Sequence, residues 1–507
     1  MALGISKFRE QRLRERQREA ARRTNAATTP WWNRPTLGVL IGALSWLSAS
    51  LLLYSQHPGG GEDLNETLVL ASSQLLLLIG VLFTTGFLAV LTPSLLRDNG
   101  RLLLLALIGL VTLVPSELLL HASGTGMWLP RPMAEYLFPL AAAPLLAAVL
   151  LGAPAGMAVG LWSSYGAAIL AGRSLTVFVV GLVATAAACV LARHVRRRSQ
   201  LIRIGLLVGA AELLAVVALL DRPAPEFPLA LAQSASCVLS GLVAAVATII
   251  LLPVCERLFG ITTNIRLLEL TDLGHPLLQR LACEAPGTYH HSLMVANLAQ
   301  AAAEAIGANS LLARVAACFH DIGKLTKPDF FTENIQPGHN PHDDLVPSMS
   351  SLLVMAHVKE GLSLALLHRL PPPVLDIIQQ HHGSGLVAFF HHKAGQQLQT
   401  ERETMRRGMG GRTTVDESHY RYAGPKPTSR ESGIISLADA IEAASRSLEK
   451  PTPAHLLDLV DHIVDIRFED GQLDHCEMPL AELTRVKRAF VFCLSNMLHH
   501  RVAYPKP

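Results

Sequence analysis

LLARVAACFHDIGKL, residues 311–325, places an adjacent histidine and aspartate, His320 and Asp321, at the end of a predicted amphipathic helix. Other segments of the C-terminal half supply residues of the same types, on or beside further predicted helices. They complete a set of five imidazoles and two carboxylates: His291, His357, His381, His382 and Asp439. Such a set can hold two first-row metal ions. Because it contains no cysteine, it indicates metal-activated water rather than a structural zinc site.

The segments around these residues predict an all-α fold for the C-terminal half. His291 lies one turn before Val295 on the apolar face of a helix, and His381-His382 precede Gly383, a helix stop. Asp439 lies in ESGIISLADAIEAASRSL (431–448), a further predicted helix. Residues 394–430 are polar and predict a flexible loop between ligand-bearing helices, either a lid or an insertion with no role.

The N-terminal half has the composition of a membrane protein. Half of the 507 residues are hydrophobic, only 5% are aromatic, and the apolar residues are concentrated between about 36 and 254. Compared with a bilayer span of about 20 residues, these runs predict eight transmembrane helices. The predicted spans are residues 37–55, 68–93, 101–120, 135–153, 155–172, 174–191, 204–220 and 228–254. A polytopic α-helical membrane bundle is therefore expected to precede the all-α C-terminal domain.

The predicted domain order follows from these assignments. It comprises a basic N-terminal segment (1–35), a first transmembrane helix (36–56), a seven-helix transmembrane domain (68–254), a juxtamembrane connector (255–285) and a C-terminal domain (286–507). The seven cysteines form no CxxC pair, so neither a disulfide framework nor a cysteine-metal site is indicated. The C-terminal domain is therefore expected in a reducing compartment.

Basic residues predict the orientation in the membrane. KFREQRLRERQREAARR (7–23) adjoins an apolar span and is interpreted as a cytoplasmic anchor facing anionic lipid, rather than as a nucleic-acid-binding arm. With this segment inside, Arg97, Arg101 and ARHVRRRSQLIR (192–203) also fall inside, as the positive-inside rule requires. Eight spans return the C-terminal domain to the cytoplasm. We expect membrane lipid, and no nucleic-acid polymer, among the partners.

Ionisable residues inside predicted spans are candidates for function. Glu117, His121 and Glu135 lie near helix ends and are interpreted as interfacial or as buried structural contacts. Glu212 lies within a span and is the better candidate for a polar sensing pocket. No inverted repeat or pair of broken helices, which would indicate a transporter, is evident in the sequence.

The order H…HD…D resembles that of the HD-domain phosphohydrolases. Longer phrases are similar to the seven-transmembrane HD family, bacterial membrane phosphodiesterases of cyclic di-AMP, a second messenger. The phrases that carry this resemblance include ERLFGITTNIRLLEL (256–270), EAPGTYHHSLMVANLA (284–299), QHHGSGL (380–386) and LADAIEAASRS (437–447). The resemblance covers residues from about 70 to 505, and it implies a multi-pass protein of the bacterial cell membrane.

The resemblance also implies roles for the site residues. His291, His320, Asp321 and Asp439 match the ligands of one metal ion, with Asp321 as the bridging carboxylate. The extra ligands of a second metal ion are matched by His357, His381 and His382. Two divalent cations, iron or manganese, would polarise the phosphoryl oxygens and activate a bridging water. The implied reaction opens cyclic di-AMP to linear pApA.

Three further residues are candidates for substrate contacts. Lys324, one turn after Asp321, is a candidate catalytic residue that could contact a phosphate, although a salt-bridged lysine is an equal alternative. His339 and His342 lie in GHNPHDD (338–344), a predicted polar loop between ligand-bearing helices. They are candidates to line the mouth of the substrate site, and the loop alone would also explain them.

This chain departs from the family pattern after its first predicted span. Members often carry a large extracytoplasmic domain after the first span, whereas only Gln56–Thr67 occupy that position here. Inherited extracellular sensing is therefore not expected, and the sequence does not decide whether a homodimer forms.

Alternative functions are hydrolysis of another nucleotide, cyclic di-GMP or guanosine tetraphosphate, and a receptor that binds nucleotide without cleaving it. GSGL (383–386) stands where the cyclic di-GMP branch has Gly-Tyr-Pro, which disfavours cyclic di-GMP as the substrate. The complete set of seven ligands disfavours a receptor that binds nucleotide without cleaving it.

Overall fold

The computed structural model describes residues 35–55, 64–124, 130–193, 195–219, 227–271, 274–335, 340–404, 414–448 and 452–497. These residues form α-helices and short 3₁₀ helices, with one isolated antiparallel bridge between Leu386 and Arg421 and no strand. The all-α prediction is confirmed. The helices form two compact units that divide between Ile265 and Arg266. Nearly all of the predicted basic N-terminal segment lies outside the described residues, and so does His339.

The N-terminal unit contains the helices of the predicted membrane half. They are α1 (Pro35–Ser55), α2 (Leu64–Leu91), α3 (Pro93–Leu96), α4 (Asn99–Gly124), α5 (Arg131–Tyr136), α6 (Ala142–Leu151), α7 (Ala153–Leu170), α8 (Leu175–Ala192), α9 (Ser199–Ala218) and α10 (Phe227–Phe259). Their shared core is built from aliphatic and small side chains, including Leu77, Leu104, Ile108, Leu145 and Leu201.

Seven helices among the described residues are long and apolar enough to cross a membrane. Six of them are α1, α2, α4, α8, α9 and α10, whose outer surfaces expose large aliphatic side chains such as Leu82 and Val90. The seventh, Pro347–Leu367, belongs to the C-terminal unit and carries the buried His357. A helix that presents a polar site residue to its own domain is better explained as part of that domain than as a membrane span.

The fourth predicted span, residues 135–153, is not a continuous helix. α5 ends at Tyr136, residues 137–141 have no helical structure, and α6 follows with 10 residues, a length of about 15 Å. Pro139 explains the break, because a proline inside a helix removes one backbone hydrogen bond and clashes with the preceding turn. The count of eight spans therefore stays a prediction, with α5 and α6 together in place of the fourth.

Glycine allows α9 and α10 to approach closely. Gly205 and Gly209 lie one turn apart on α9 and face Gly241 of α10, where an added Cβ would overlap the backbone of α9. Small residues at a four-residue spacing are the usual means by which membrane helices come into backbone contact. Glu212 follows Gly209 by one turn and is therefore held near this contact.

The C-terminal unit is a bundle of helices with its own core. Its helices are α11 (Asn264–Leu270), α12 (Pro276–Glu284), α13 (Pro286–Ile306), α14 (Ser310–Phe319), α15 (Pro347–Leu367), α16 (Pro372–Gln380), α17 (Ala388–Thr404), α18 (Arg430–Ser445), α19 (Pro453–Glu469) and α20 (Leu480–Met497), with 3₁₀ helices at Ile322–Thr326, Pro328–Phe330 and Glu417–Tyr420. α13 packs against α14, α18 and α20, and α15 packs against α16 and the first 3₁₀ helix. Buried side chains between them include Val295, Phe319, Ile378, Ile435 and Phe490.

Two predicted irregular segments contain more helix than expected. The predicted connector, residues 255–285, holds the end of α10 together with α11 and α12. The predicted loop, residues 394–430, begins inside α17, which continues to Thr404 because Gln, Leu, Glu and Arg have high helix propensity. Residues 405–413 of that loop lie outside the described part of the chain.

Candidate metal centre

The fold brings all seven predicted ligands together. His291 lies within α13, His357 within α15 and Asp439 within α18, whereas the other four follow the ends of α14 and α16. Their ligand atoms form two sets in which all atoms lie within 4.8 Å of one another. One set is His291, His320, Asp321 and Asp439, and the other is Asp321, His357, His381 and His382. Asp321 belongs to both.

In the first set, two imidazoles face two carboxylates. His291 Nε2 lies 3.0 Å from Asp439 Oδ1 and 3.5 Å from Asp321 Oδ2. His320 Nε2 lies 3.3 Å from Asp321 Oδ2 and 3.8 Å from Asp439 Oδ1. These four atoms converge on one point, which is the arrangement that a cation with mixed nitrogen and oxygen ligands needs.

The second set uses the other oxygen of Asp321. Asp321 Oδ1 lies 3.3 Å from His357 Nε2 and 3.7 Å from His381 Nε2, and these two nitrogens are 3.3 Å apart. His382 completes the set and also places its Nδ1 3.5 Å from Asp439 Oδ2. Because each oxygen of Asp321 points to a different set, this carboxylate is placed to bridge two metal ions.

Gly323 permits the approach of α15 to the His-Asp pair. A Cβ at this position would overlap the backbone carbonyl of His357, so only glycine allows the 3₁₀ helix after Asp321 to lie this close to α15. The contact places His357 beside Asp321. The glycine of HDIGK therefore has a direct structural role in forming the second set.

Hydrogen bonds at Nδ1 orient three of the histidines. In each case Nδ1–H donates to the backbone carbonyl three residues earlier, which directs Nε2 into the site. The donor and acceptor pairs, 2.6–2.8 Å apart, are His320 and Ala317, His357 and Val354, and His381 and Ile378. His291 is oriented differently, since its Nδ1 lies 2.5 Å from Glu442 Oε2.

The electrostatics of the site favour bound positive charge. Burial opposes the charged form of His320, but Asp321 and Asp439 outweigh it and raise the pKa of His320 to about 10. Burial and the neighbouring His320 lower the pKa of His381 to about 3, and burial with His381 lowers that of His382 well below its ordinary value. The second set therefore offers neutral imidazoles, the form that binds a metal ion.

Two buried ligand atoms lack a hydrogen-bond partner, and a bound metal ion would supply the missing contact. His320 Nε2, in the first set, and Asp321 Oδ1, in the second, have no hydrogen-bond partner among the described residues. An unsatisfied buried polar atom costs about 1–3 kcal/mol, so a bound cation is the simplest explanation for both. The resemblance to the HD-domain phosphohydrolases implies divalent metal binding, and this cluster of histidines and aspartates fits it.

Lys324 is placed beside Asp321 and is already paired. Its Nζ lies 2.7 Å from Asp321 Oδ2 and 2.7 Å from Glu333 Oε1, and it lies 5.0 Å from the centre of the Phe331 ring. Burial opposes the charged form, but the two carboxylates raise the pKa of Lys324 above its usual value. Lys324 therefore forms an ion pair with Asp321, while a direct phosphate contact remains a prediction.

His342 lies in a separate environment. Its Nε2–H donates to the Phe330 carbonyl at 2.8 Å, and its ring packs 4.9 Å from that of Phe390. These contacts anchor the loop of residues 340–345 against α17. They are sufficient to explain a buried histidine here, and a role at the substrate mouth remains a prediction.

Sequence reasoning missed Glu442 and Tyr422, two residues that contact ligand side chains. Glu442 orients His291 and is itself held by Arg446, whose Nε–H donates to Glu442 Oε1 at 2.9 Å. Tyr422 stacks on His382, with ring centres 4.3 Å apart. Glu442 could have been found from its spacing, because it follows Asp439 by three residues on the same helix face. Tyr422 comes from the predicted loop, so no periodic signal points to it.

Glu442→Gln is expected to weaken metal binding by about 10–100-fold, because loss of the carboxylate makes the His291 imidazole less basic and less well oriented. A metal titration of the metal-stripped full-length protein measures the change. Glu431→Gln is the matched control, since Glu431 lies on the same helix and accepts a hydrogen bond from the Asn309 backbone N–H instead. Equal affinities for Glu442→Gln and the unmodified protein would contradict the role given to Glu442.

Comparison with known families and proteins gives concordant matches. A family model described as "7TM receptor with intracellular HD hydrolase" matches residues 67–263, and the HD domain model matches residues 288–444. The cyclic-di-AMP phosphodiesterase PgpH of Listeria monocytogenes is 36% identical over 376 residues, which are 73% of this chain and 50% of that protein. The protein of the same name from Bacillus subtilis is 42% identical over 269 residues, 53% of this chain and 36% of that protein.

The chain thus spans half the length, or less, of these curated relatives. Among solved structures, the HD domain of L. monocytogenes PgpH is 41% identical and covers 45% of this chain and 100% of its own, with a TM-score of 0.40. A second structure of that domain, in complex with cyclic di-AMP, gives the same values.

Proposed function

The chain belongs to the family of seven-transmembrane proteins with an HD hydrolase domain, and from this membership we propose that it is a membrane-bound dimetal phosphodiesterase that hydrolyses cyclic di-AMP to linear pApA. The observation that carries the proposal is the pair of ligand sets that share Asp321. Two curated relatives that are named cyclic-di-AMP phosphodiesterases support the choice of substrate.

Each residue of the site has a part in this proposal. His291, His320, Asp321 and Asp439 would hold one divalent cation, and Asp321 with His357, His381 and His382 would hold the second. When bound, such cations supply Lewis-acid activation of water and of the phosphodiester. Histidine and aspartate ligands without thiolate suit iron or manganese, which we propose as the metals.

The chain's own groups keep the site ready for this reaction. Glu442 and three backbone carbonyls fix the ring orientations, so the site does not have to reorganise when the substrate arrives. Lys324 compensates the charge of Asp321 and Glu333 in a buried position. His382 is the most accessible ligand, with 17% of its side chain exposed, so a nucleotide would approach from the side of His382 and Tyr422.

The proposed location is the bacterial cell membrane, with the N-terminus and the HD domain in the cytoplasm. The basic residues at Arg97, Arg101 and 193–203 support this orientation by the positive-inside rule. Lipid contact is supported by the exposed aliphatic surface of the candidate spans.

The full-length protein, purified without oxygen in detergent and loaded with Mn²⁺ or Fe²⁺, is expected to convert cyclic di-AMP to pApA. Chromatographic separation of the two nucleotides measures turnover, and cyclic di-GMP and guanosine tetraphosphate are offered separately and in competition. Preferred turnover of either competitor would overturn the proposed substrate. Tight binding of cyclic di-AMP by a folded, metal-loaded sample without any hydrolysis would identify a receptor instead.

A further inference from the structure

The break in the fourth predicted span opens a polar region inside the membrane unit. Non-helical backbone within a membrane bundle is tolerated only where protein covers it or where it lines a polar cavity. Here the Pro139 carbonyl accepts a hydrogen bond from the Thr112 hydroxyl at 3.1 Å, and the Phe138 carbonyl accepts one from the Ser240 hydroxyl at 2.6 Å. Hydroxyl groups from α4 and α10 therefore satisfy backbone carbonyls at the interruption and stabilise the non-helical segment within the bundle.

A cavity of about 100 Å³ lies beside this interruption. Its lining combines two acidic residues and residues that carry hydroxyl groups with apolar residues of neighbouring helices. The residues that line it include Glu135, Tyr136, Ser174, Thr176, Glu212 and Cys237. A cavity of this size holds several water molecules, or a small ion with part of its hydration shell.

Glu212 is the unexplained group in this cavity. Its side chain belongs to α9, a candidate membrane span, and the residue is only 2% exposed. Oε1 has no hydrogen-bond partner among the described residues. Ser240 lies close enough to contact the carboxylate, but its single proton is already donated to the Phe138 carbonyl. Among the residues whose side chains the structure describes, no lysine, arginine or histidine lines the cavity to balance the charge of Glu212.

We propose that this cavity, lined by Glu212 and Glu135 at the break between α5 and α6, binds a small monovalent cation, either an alkali metal ion or a primary ammonium group. A buried carboxylate oxygen without a donor is costly, and a small cation would supply Glu212 with the charge and the contact that Oε1 lacks among the described residues. Ser174 and Thr176, two residues with neutral hydroxyl oxygens, also line the cavity. The site is separate from the metal centre, and the proposal does not depend on the proposed hydrolysis.

The alternative for Glu212 is a protonated, neutral carboxyl group that donates its own proton to Ser240. The two possibilities differ in their response to cations. A neutral acid gives no cation dependence, and glutamine replaces it with little change in stability. A cation site gives a saturable gain in stability that requires the negative charge.

Tryptophan fluorescence reports selectively on the unit that contains this cavity. All five tryptophans of the chain lie in the N-terminal half: Trp31, Trp32, Trp46, Trp128 and Trp162. Thermal unfolding of the full-length protein in lipid nanodiscs is followed by this signal in choline chloride, and then with NaCl, KCl or methylammonium chloride at constant ionic strength. We expect at least one small cation to raise Tm by about 3–5 °C for each tenfold increase in concentration beyond the binding midpoint.

Glu212→Gln is expected to abolish this concentration dependence, and Glu212→Asp to keep it with a higher midpoint. Glu117→Gln is the matched control, because Glu117 is a buried carboxylate of α4 that accepts a hydrogen bond from Ser55 and does not line the cavity. An unmodified protein whose Tm is the same in all four salts would overturn the proposal, whether or not the variants fold. An equal response in Glu212→Gln would also overturn it.

Discussion

Replacing Asp321 with asparagine is expected to lower cyclic di-AMP hydrolysis by at least about 1,000-fold and to reduce the metal content of the purified protein at both positions. Asp321 is the residue that belongs to both ligand sets, with Oδ2 towards His291 and His320 and Oδ1 towards His357 and His381. An amide is a neutral and weaker ligand. Loss of several kcal/mol of charge stabilisation corresponds to a rate change of this size.

Two measurements test this expectation on the same sample. Elemental analysis gives the number of metal ions per chain, and chromatography gives the rate of pApA formation. Asp343→Asn is the control, because Asp343 is 68% exposed and pairs with Lys393 at 3.5 Å, outside both ligand sets. If Asp321→Asn retains two ions per chain and near-normal turnover, the bridging position assigned to Asp321 is incorrect.

Much of the metal centre could be predicted from the sequence because its chemistry is local. His320-Asp321 and His381-His382 are adjacent pairs beside helix ends, so each pair delivers two ligands from one short segment. The family resemblance then supplied the order in which distant helices contribute. Geometry adds what this order does not contain: which oxygen of Asp321 faces which set, and which backbone carbonyls orient the rings.

The supporting residues were harder to predict because they depend on tertiary contacts. Lys324 is followed nine residues later by Glu333, a spacing that matches no helical or strand period, and only the fold shows that they form an ion pair. Tyr422 reaches His382 from a segment that reads as polar and irregular. A sequence pattern identifies ligands by residue type, whereas the groups that position them can be of many types.

The prediction of one continuous helix over residues 135–153 was wrong, because it rested on hydropathy alone. Residues 135–153 are apolar enough for a span, but Pro139 interrupts the helix within them. Pro347–Leu367 also has the length and hydropathy of a span, but the sequence analysis assigned its His357 to the C-terminal domain, and the structure buries this histidine in that unit. Composition gives the average environment of a segment, and the position of a single proline or histidine can override it.

His357→Ala is expected to remove one of two metal ions and to lower turnover at least about 100-fold. His357 Nε2 is 3.3 Å from Asp321 Oδ1 and 3.3 Å from His381 Nε2, and it belongs to the second set alone. The first set keeps all four of its ligands, so one ion per chain should remain. His392→Ala, which replaces an exposed histidine, should retain both ions and full activity. If His357→Ala loses both ions in equal proportion, the two sets do not bind metal as separable sites, and the second set cannot be assigned an ion of its own.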